Sequence, residues 1–184
     1  MQPTSLTETA EIRALEASDI DALFALAQAN LDRNYWLPRT LQRADIESRV
    51  TSGQEILAKN EGVLGGIFDR GELCGVAAIW RYAPETRSIE IGYWIGRHAE
   101  GRGLVKRACR AVMRHAFEGI GVHRIELRCH AGNARSIALA ERLGFRREGC
   151  LVEAEKLGDA WADLLIFGML ESEWRGCDAT RGAR

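Results

Sequence analysis

Two glycine-bearing turns and a set of carboxylates hold most of the residues in this 184-residue chain whose types and spacing could do chemistry. The run Ile89-Glu-Ile-Gly-Tyr-Trp-Ile95 reads as a strand, and after Gly96 it leads into Glu100-Gly-Arg-Gly-Leu-Val105, which opens a basic helical pattern. Gly101 and Gly103 let the backbone come close to a ligand. The unpaired amides of the first helical turn add donors and a partial positive charge, so the junction is an anion cradle suited to phosphate. No GxxxxGK(S/T) pattern occurs, and Lys106 stands where the dinucleotide fingerprint requires its third glycine. ATPase and nicotinamide chemistry are therefore excluded.

Other chemistries are poorly supplied. Cys74, Cys109, Cys129, Cys150 and Cys177 are odd in number, scattered and without a CxxC pair, so they read as free thiols. Cys150 has no evident histidine partner and reads as a buried thiol rather than a nucleophile. The four histidines form no HExxH, and no metal centre is expected. Lys and Arg number 25 against 26 Asp and Glu, a net charge of −1 that provides no global field for nucleic acid or an anionic membrane. Apolar runs fall far short of the roughly 20 residues that span a bilayer. The start, MQPTSLTETAE, lacks a signal pattern, and a cytoplasmic protein is expected.

The elements that must position the cradle follow from periodicity. With 46% hydrophobic and 28% charged residues, the composition is that of an ordinary globular domain. The pattern predicts one domain over 9–174, a flexible N-terminus over 1–8 and a polar tail over 175–184. Glu11 to Leu15 alternates as a strand, and Ser18 or Asp19 caps a helix carrying Ile20, Leu23, Phe24, Leu26 and Ala27. A second helix lies within Arg43 to Asn60. Strands follow at Gly65 to Asp69, Leu73 to Tyr82 and Arg87 to Ile95, then a helix over Gly103 to Phe117. A strand at Arg124 to Cys129, a helix at Ala134 to Leu143 and strands at Phe145 to Leu151 and Trp161 to Leu170 complete the chain. The order β-α-α-β-β-β-α-β-α-β-β implies an α/β fold (α+β in some schemes). Its sheet is mixed, mostly antiparallel, of about seven strands with helices on both faces.

In order along the chain, EIGYWIG, EGRGLVKRA and HRIELRCHAGNARSIALAERLGFRREG resemble the GNAT acetyltransferases, which use acetyl-CoA. The likeness covers nearly the whole domain. GYW, RCHAGN-x-x-S and LGF-x-x-EGCL-x-E-A-E make the chain most similar to the RimJ/RimL branch, whose namesakes acetylate the N-terminal α-amines of ribosomal proteins. The family's Q/R-x-x-G-x-G/A motif falls on Glu100, Gly103 and Val105, so only the central glycine is kept. The resemblance implies that the backbone of Gly101, Arg102, Gly103, Leu104 and Val105 receives the pyrophosphate. It also implies that the splayed end of the Arg87 to Ile95 strand, with Trp94 and Ile95, holds the pantetheine arm, helped by Asn133.

The tyrosine with which many family members protonate the leaving sulfur would stand at Ala140 and is missing. By resemblance, Ser136 in the N-x-x-S turn supplies the acid and Glu155 the base, with direct attack of the amine. By resemblance Glu90 competes as base, because strands at this position carry a catalytic glutamate in other GNAT branches, and strand alternation sets it on the face opposite Ile89 and Ile91. Glu153 could form a second acidic wall, and Tyr35 and Trp36 could wall the acceptor. The acceptor is expected to be a peptide N-terminus, with a small-molecule amine as the alternative. A non-catalytic acetyl-CoA sensor is a further alternative, motivated by Glu100 and Val105. Homodimers are common among such proteins, so a homodimer is possible here.

Overall fold

A computed structural model describes residues 1–33, 40–157 and 160–174. It contains strands β1 (Thr4–Ser5) and β2 (Ala10–Ala14), then helices α1 (Ile20–Gln28) and α2 (Arg43–Ala58). Strands β3 (Leu64–Asp69), β4 (Glu72–Ala83) and β5 (Ser88–Ile95) follow, then α3 (Leu104–Arg114), which a π turn over His115–Ile120 extends. The chain continues through β6 (Arg124–His130), α4 (Ala134–Leu143), β7 (Arg146–Leu157) and β8 (Ala160–Leu170). One sheet of eight strands results, in the order β1-β2-β3-β4-β5-β6-β8-β7. Among the described residues only β5 and β6 pair in parallel. That pair needs a crossover connection, and α3 provides it.

The eighth strand lies where the sequence predicts a flexible lead-in. Thr4 pairs with Ile12 and Ser5 with Glu11, and Leu6 is buried beside them. Backbone pairing and one buried leucine thus tie down part of a segment that has no periodicity of its own. The tail over 175–184 lies outside the described residues.

Side chains alternate across the sheet and build two cores. On one face Leu23 and Ala27 of α1 and Ile46 and Val50 of α2 meet Leu64, Leu73 and Val76. On the other, Ala108 and Val112 of α3 and Leu139 and Leu143 of α4 meet Ala77, Ile79, Ile91 and Leu127. Trp174 closes the second core by stacking on Phe117, with ring centroids 5.7 Å apart. Helices α1 and α2 lie over β3 and β4. On the same face, the row formed by β5, β6, β8 and β7 instead carries Glu90, Arg124, Glu126, Arg128 and His130, an ionic surface rather than a core.

Gly168 of β8 shows how that surface is wired. Arg124 of β6 bonds Glu126 at 3.1 Å and also the carboxylate of Glu148 on β7, two strands away. The bridge passes over β8 at Gly168, where a Cβ would stand only 2.5 Å from Glu148 Oε1. A side chain at this position would displace the flexible end of Glu148 from that bridge.

Asp19 fixes the entry to α1. Its carboxylate accepts bonds from Arg13 Nη1 and Nη2 at 2.7 and 2.8 Å and from the Glu16 backbone N–H at 2.8 Å. Chiefly through Arg13, its pKa is held below the usual carboxylate value. Because the folded value is depressed, the stabilisation is complete above the unfolded pKa and is lost as pH falls through the folded one. Asp19→Asn should cost about 2 kcal/mol near neutral pH. Urea unfolding of wild type and variant should converge as the medium is acidified below the ordinary carboxylate range.

Candidate active site

Strands β5 and β6 run hydrogen-bonded from Ser88↔Arg124 to Ile91↔Leu127, and there the pairing stops. Beyond that point β5 stays with β4 as far as Ile95↔Gly75, and β6 stays with β8 as far as His130↔Leu164. Each strand follows the twist of its own half-sheet, and a wedge opens between them. The wedge is a cleft of about 480 Å³ lined from both faces of the sheet. Glu90, Trp94, Arg128, His130 and Glu155 come from the face shared with α1 and α2. Tyr93, Cys129, Asn133 and Ser136 come from the face of α3 and α4. A ligand entering from one side can therefore meet another entering from the opposite side.

On the first face, Glu155 Oε2 lies 2.5 Å from His130 Nε2. The side chain of His130 is 10% exposed and that of Glu155 50%. A bulge in β7 makes the contact: Leu151 pairs with Leu164 and Glu155 with Ala162, so residues 152–154 face Asp163 alone. Asp163 Oδ1 accepts the Glu153 N–H at 2.9 Å and anchors the bulge. Glu155 pairs with Ala162 of β8 and reaches across that strand to His130.

Glu90 lies deeper. Its Oε2 is 3.6 Å from Arg128 Nε and 3.8 Å from Arg81 Nε. Among the described residues neither Glu90 Oε2 nor Arg128 Nε has a hydrogen-bond partner. Burial raises the Glu90 pKa above the ordinary value, against the pull of Arg128 and Arg81.

On the opposite face, Asn133 caps α4, its Oδ1 accepting the Ser136 N–H at 3.1 Å. Its amide nitrogen is the end able to donate to a carbonyl. Burial drives the Tyr93 phenol pKa well up, and the Ser136 side chain opposes that rise. Tyr93 thus stays a neutral O–H, and among the described residues its buried hydroxyl has no hydrogen-bond partner. Burial pushes the Cys129 thiol up to about 11, so it is protonated at neutral pH and a poor nucleophile.

The cradle has the expected backbone. Gly101 and Gly103 adopt φ of +74° and +73°, and Gly103 starts α3. A Cβ at either would meet nothing within 4 Å, so the outer side of the turn is open to a ligand. Open glycines ahead of the first-turn amides fit a pyrophosphate. Arg102 is committed to the buried Asp69, and Leu104 is buried, so these two offer the site their backbone. Val105 and Ile95 pack against the core beneath α3. Glu100, at the departed motif position, bonds Arg135 Nη1 of α4 at 2.8 Å, which offsets a negative charge beside the cradle.

The cleft thus gathers Trp94, Asn133, Ser136, Glu90 and Glu155. The side chain of Trp94 belongs to the α1/α2 face, opposite the one that carries Asn133 and Ser136. Glu153 does not line the cleft: it is exposed in the bulge at φ +50°. The shared parity with Glu155 assumed an unbroken strand. Cys150 is exposed rather than buried, because it lies on the outer strand of the sheet. Tyr35 and Trp36 lie outside the described residues. Sequence reading missed Tyr93, although GYW contains it, and missed His130, whose partner is 25 residues away. Among the described residues no group of three potential ligands could hold a metal, and no helix is long and apolar enough to cross a membrane.

Comparison with known proteins agrees with this geometry. Residues 10–146 match the acetyltransferase (GNAT) domain model. YdaF of Bacillus subtilis (strain 168), named as a candidate ribosomal N-acetyltransferase, is 31% identical over 176 residues, covering 93% of this chain and 96% of its own. The ribosomal-protein-serine acetyltransferase of Escherichia coli (strain K12) is 28% identical over 172 residues, covering 90% and 94%. The fold also matches RimL, the ribosomal L7/L12 α-N-protein acetyltransferase, solved with coenzyme A. The TM-score is 0.86 at 24% identity, over 92% of this chain and 98% of that one. With its split sheet, open cradle and two-sided cleft, the chain belongs to the GNAT family of N-acetyltransferases and uses acetyl-CoA as its acyl donor.

Proposed function

We propose that this enzyme acetylates the N-terminal α-amine of a protein, a serine-starting ribosomal protein in the first instance, by direct transfer. The observation that carries this reading is the two-sided cleft: Glu155 and His130 line it on one face, Ser136 and Tyr93 on the other. The relatives named for ribosomal substrates support the choice of acceptor.

Acetyl-CoA supplies the acetyl group as a thioester. Glu155 accepts a proton from the incoming amine, which frees the nitrogen lone pair for attack. His130 donates its Nε2–H to Glu155 Oε2 and holds that half-exposed carboxylate in one orientation. Ser136 gives its hydroxyl proton to the sulfur as the C–S bond breaks and regains one from solvent. Placing base and acid on opposite faces lets both act in one encounter without a covalent acetyl-enzyme.

A second reading has its own observation. Glu90 is the more buried carboxylate and its pKa is raised, which brings it closer to the task of a base at neutral pH. The two assignments separate by kinetics. With Glu155 as base, Glu155→Gln should lower kcat roughly 100-fold or more on a Ser-starting peptide, read as release of coenzyme A thiol. His130→Ala should lower kcat with little change in peptide KM, and His130→Gln, which restores a donor, should recover part of the loss. If instead Glu90→Gln abolishes turnover and Glu155→Gln spares it, the base is Glu90. The acid limb of kcat/KM should then lie above the ordinary carboxylate range, since activity is lost as pH falls through the raised pKa.

The cradle is tested by Gly103→Val. A β-branched residue at φ +73° costs about 1–2 kcal/mol. Coenzyme A affinity by calorimetry should therefore weaken about tenfold if the turn relaxes out of shape.

A further inference from the structure

Tyr93 carries a polar group that the protein itself leaves unused. Its hydroxyl is buried, and among the described residues nothing accepts or donates a hydrogen bond there. A buried phenol normally finds a partner, because leaving its O–H unpaired costs folding free energy. This one lines the cleft. An unpaired donor at the wall of a cleft is matched by an acceptor that arrives with a ligand.

The position of the residue on β5 explains the missing partner. Hydrogen bonding to β6 ends at Ile91, and Tyr93 follows two residues later, on the α3/α4 face that Ile89 and Ile91 also occupy. Its backbone remains in register with Ala77 of β4, and its ring packs against the core beneath α3 and α4. The ring is held on both counts, while the strand that would have covered its far end has parted from β5. Burial raises the phenol pKa; Ser136 lies close enough to oppose that rise, yet no hydrogen bond joins the two. The other groups that act on the phenol are the thiols of Cys109 and Cys129, both kept neutral by burial. Among the described residues Ser136 is the other hydroxyl in the lining of the cleft, on the same face.

From this we infer that Tyr93 is a catalytic residue of the acetyl transfer: its O–H donates a hydrogen bond to the thioester sulfur of acetyl-CoA and stabilises the negative charge that gathers there as the C–S bond breaks. This rests on the reading that the acyl donor occupies the α3/α4 side of the cleft and that Ser136 serves the sulfur. The amine nitrogen forms the new C–N bond, the C–S electron pair goes to sulfur, Glu155 takes the amine proton and Ser136 supplies the proton of the departing thiol. Tyr93 keeps its own proton throughout. A phenol made less acidic by burial is a poor proton source but a permanent donor, so its contribution is an oriented dipole in a site from which bulk water is withdrawn. The neighbouring Ser136 selects the sulfur rather than the carbonyl oxygen as the atom served, because two hydroxyls that act on one another converge on one point.

Tyr93→Phe removes one oxygen and keeps the packed ring, so its urea midpoint should equal or exceed that of wild type. Its kcat on a Ser-starting peptide should fall about 10- to 100-fold with peptide KM unchanged. Calorimetry on the folded proteins then identifies the atom. Wild type should bind coenzyme A more tightly than desulfo-coenzyme A, which lacks the sulfur, and Tyr93→Phe should lose most of that preference. The preference for acetyl-CoA over S-ethyl-coenzyme A, which lacks the carbonyl oxygen, should be the same in both proteins. An unchanged kcat, or a lowered kcat with both preferences intact, would overturn the catalytic role. Loss of the carbonyl preference with the sulfur preference retained would overturn the assignment to sulfur. If Gly103→Val and Asn133→Ala both leave coenzyme A affinity untouched, the failure lies instead in the placement of the acyl donor, and the role of Tyr93 falls with it.

Discussion

The end of hydrogen bonding between β5 and β6 at Ile91↔Leu127 is the constraint on which the rest of this molecule depends. A continuous sheet would separate its two faces completely. Here one parallel pair parts half-way, and side chains from both faces border a single space. The α3/α4 side leads to the open glycine turn at the N-terminus of α3, while on the opposite side α1 and α2 pack over β3 and β4. Acyl donor and amine can then approach along separate paths and meet in the wedge. The backbone edges left unpaired there offer hydrogen-bonding groups that a ligand can satisfy.

Charged groups meet across the ionic half of this sheet at small residues of β8. Glu148 reaches Arg124 from two strands away over Gly168, and Glu155, paired with Ala162, reaches His130. The same surface holds Glu90 between Arg81 and Arg128 at ion-pair distance without hydrogen bonds. This leaves a buried carboxylate oxygen and guanidinium nitrogen available to a ligand.

Two bulges refine what the regular strands provide. In β4 the register shift turns Arg81 toward the cleft. In β7 the three residues opposite Asp163 carry Glu155 back to the level of His130 and expel Glu153. Neither bulge is evident from residue type: Arg81 and Glu153 sit at positive φ without being glycine, the residue that usually marks such positions. Alternation predicts the face of Glu90 correctly. It fails for Glu153, where an intact strand was assumed.

The sequence by itself determined the order of the elements, the two-faced cores and the glycine turn at the start of α3. These follow from local periodicity, from capping by Asn133, and from the conformational freedom of Gly101 and Gly103; the first helix is led in by Glu16, to whose N–H Asp19 bonds back, and not by a cap at Ser18 or Asp19. Its motifs also carried the likeness to the GNAT acetyltransferases and pointed to Asn133, Ser136 and Glu155. Only the tertiary structure decided that His130 meets Glu155, that Tyr93 and Ser136 line one cleft, that Glu100 is offset by Arg135 and that the lead-in adds an eighth strand. Each of these is a meeting of residues distant in sequence, set by strand register and by packing. Neither is written in local composition.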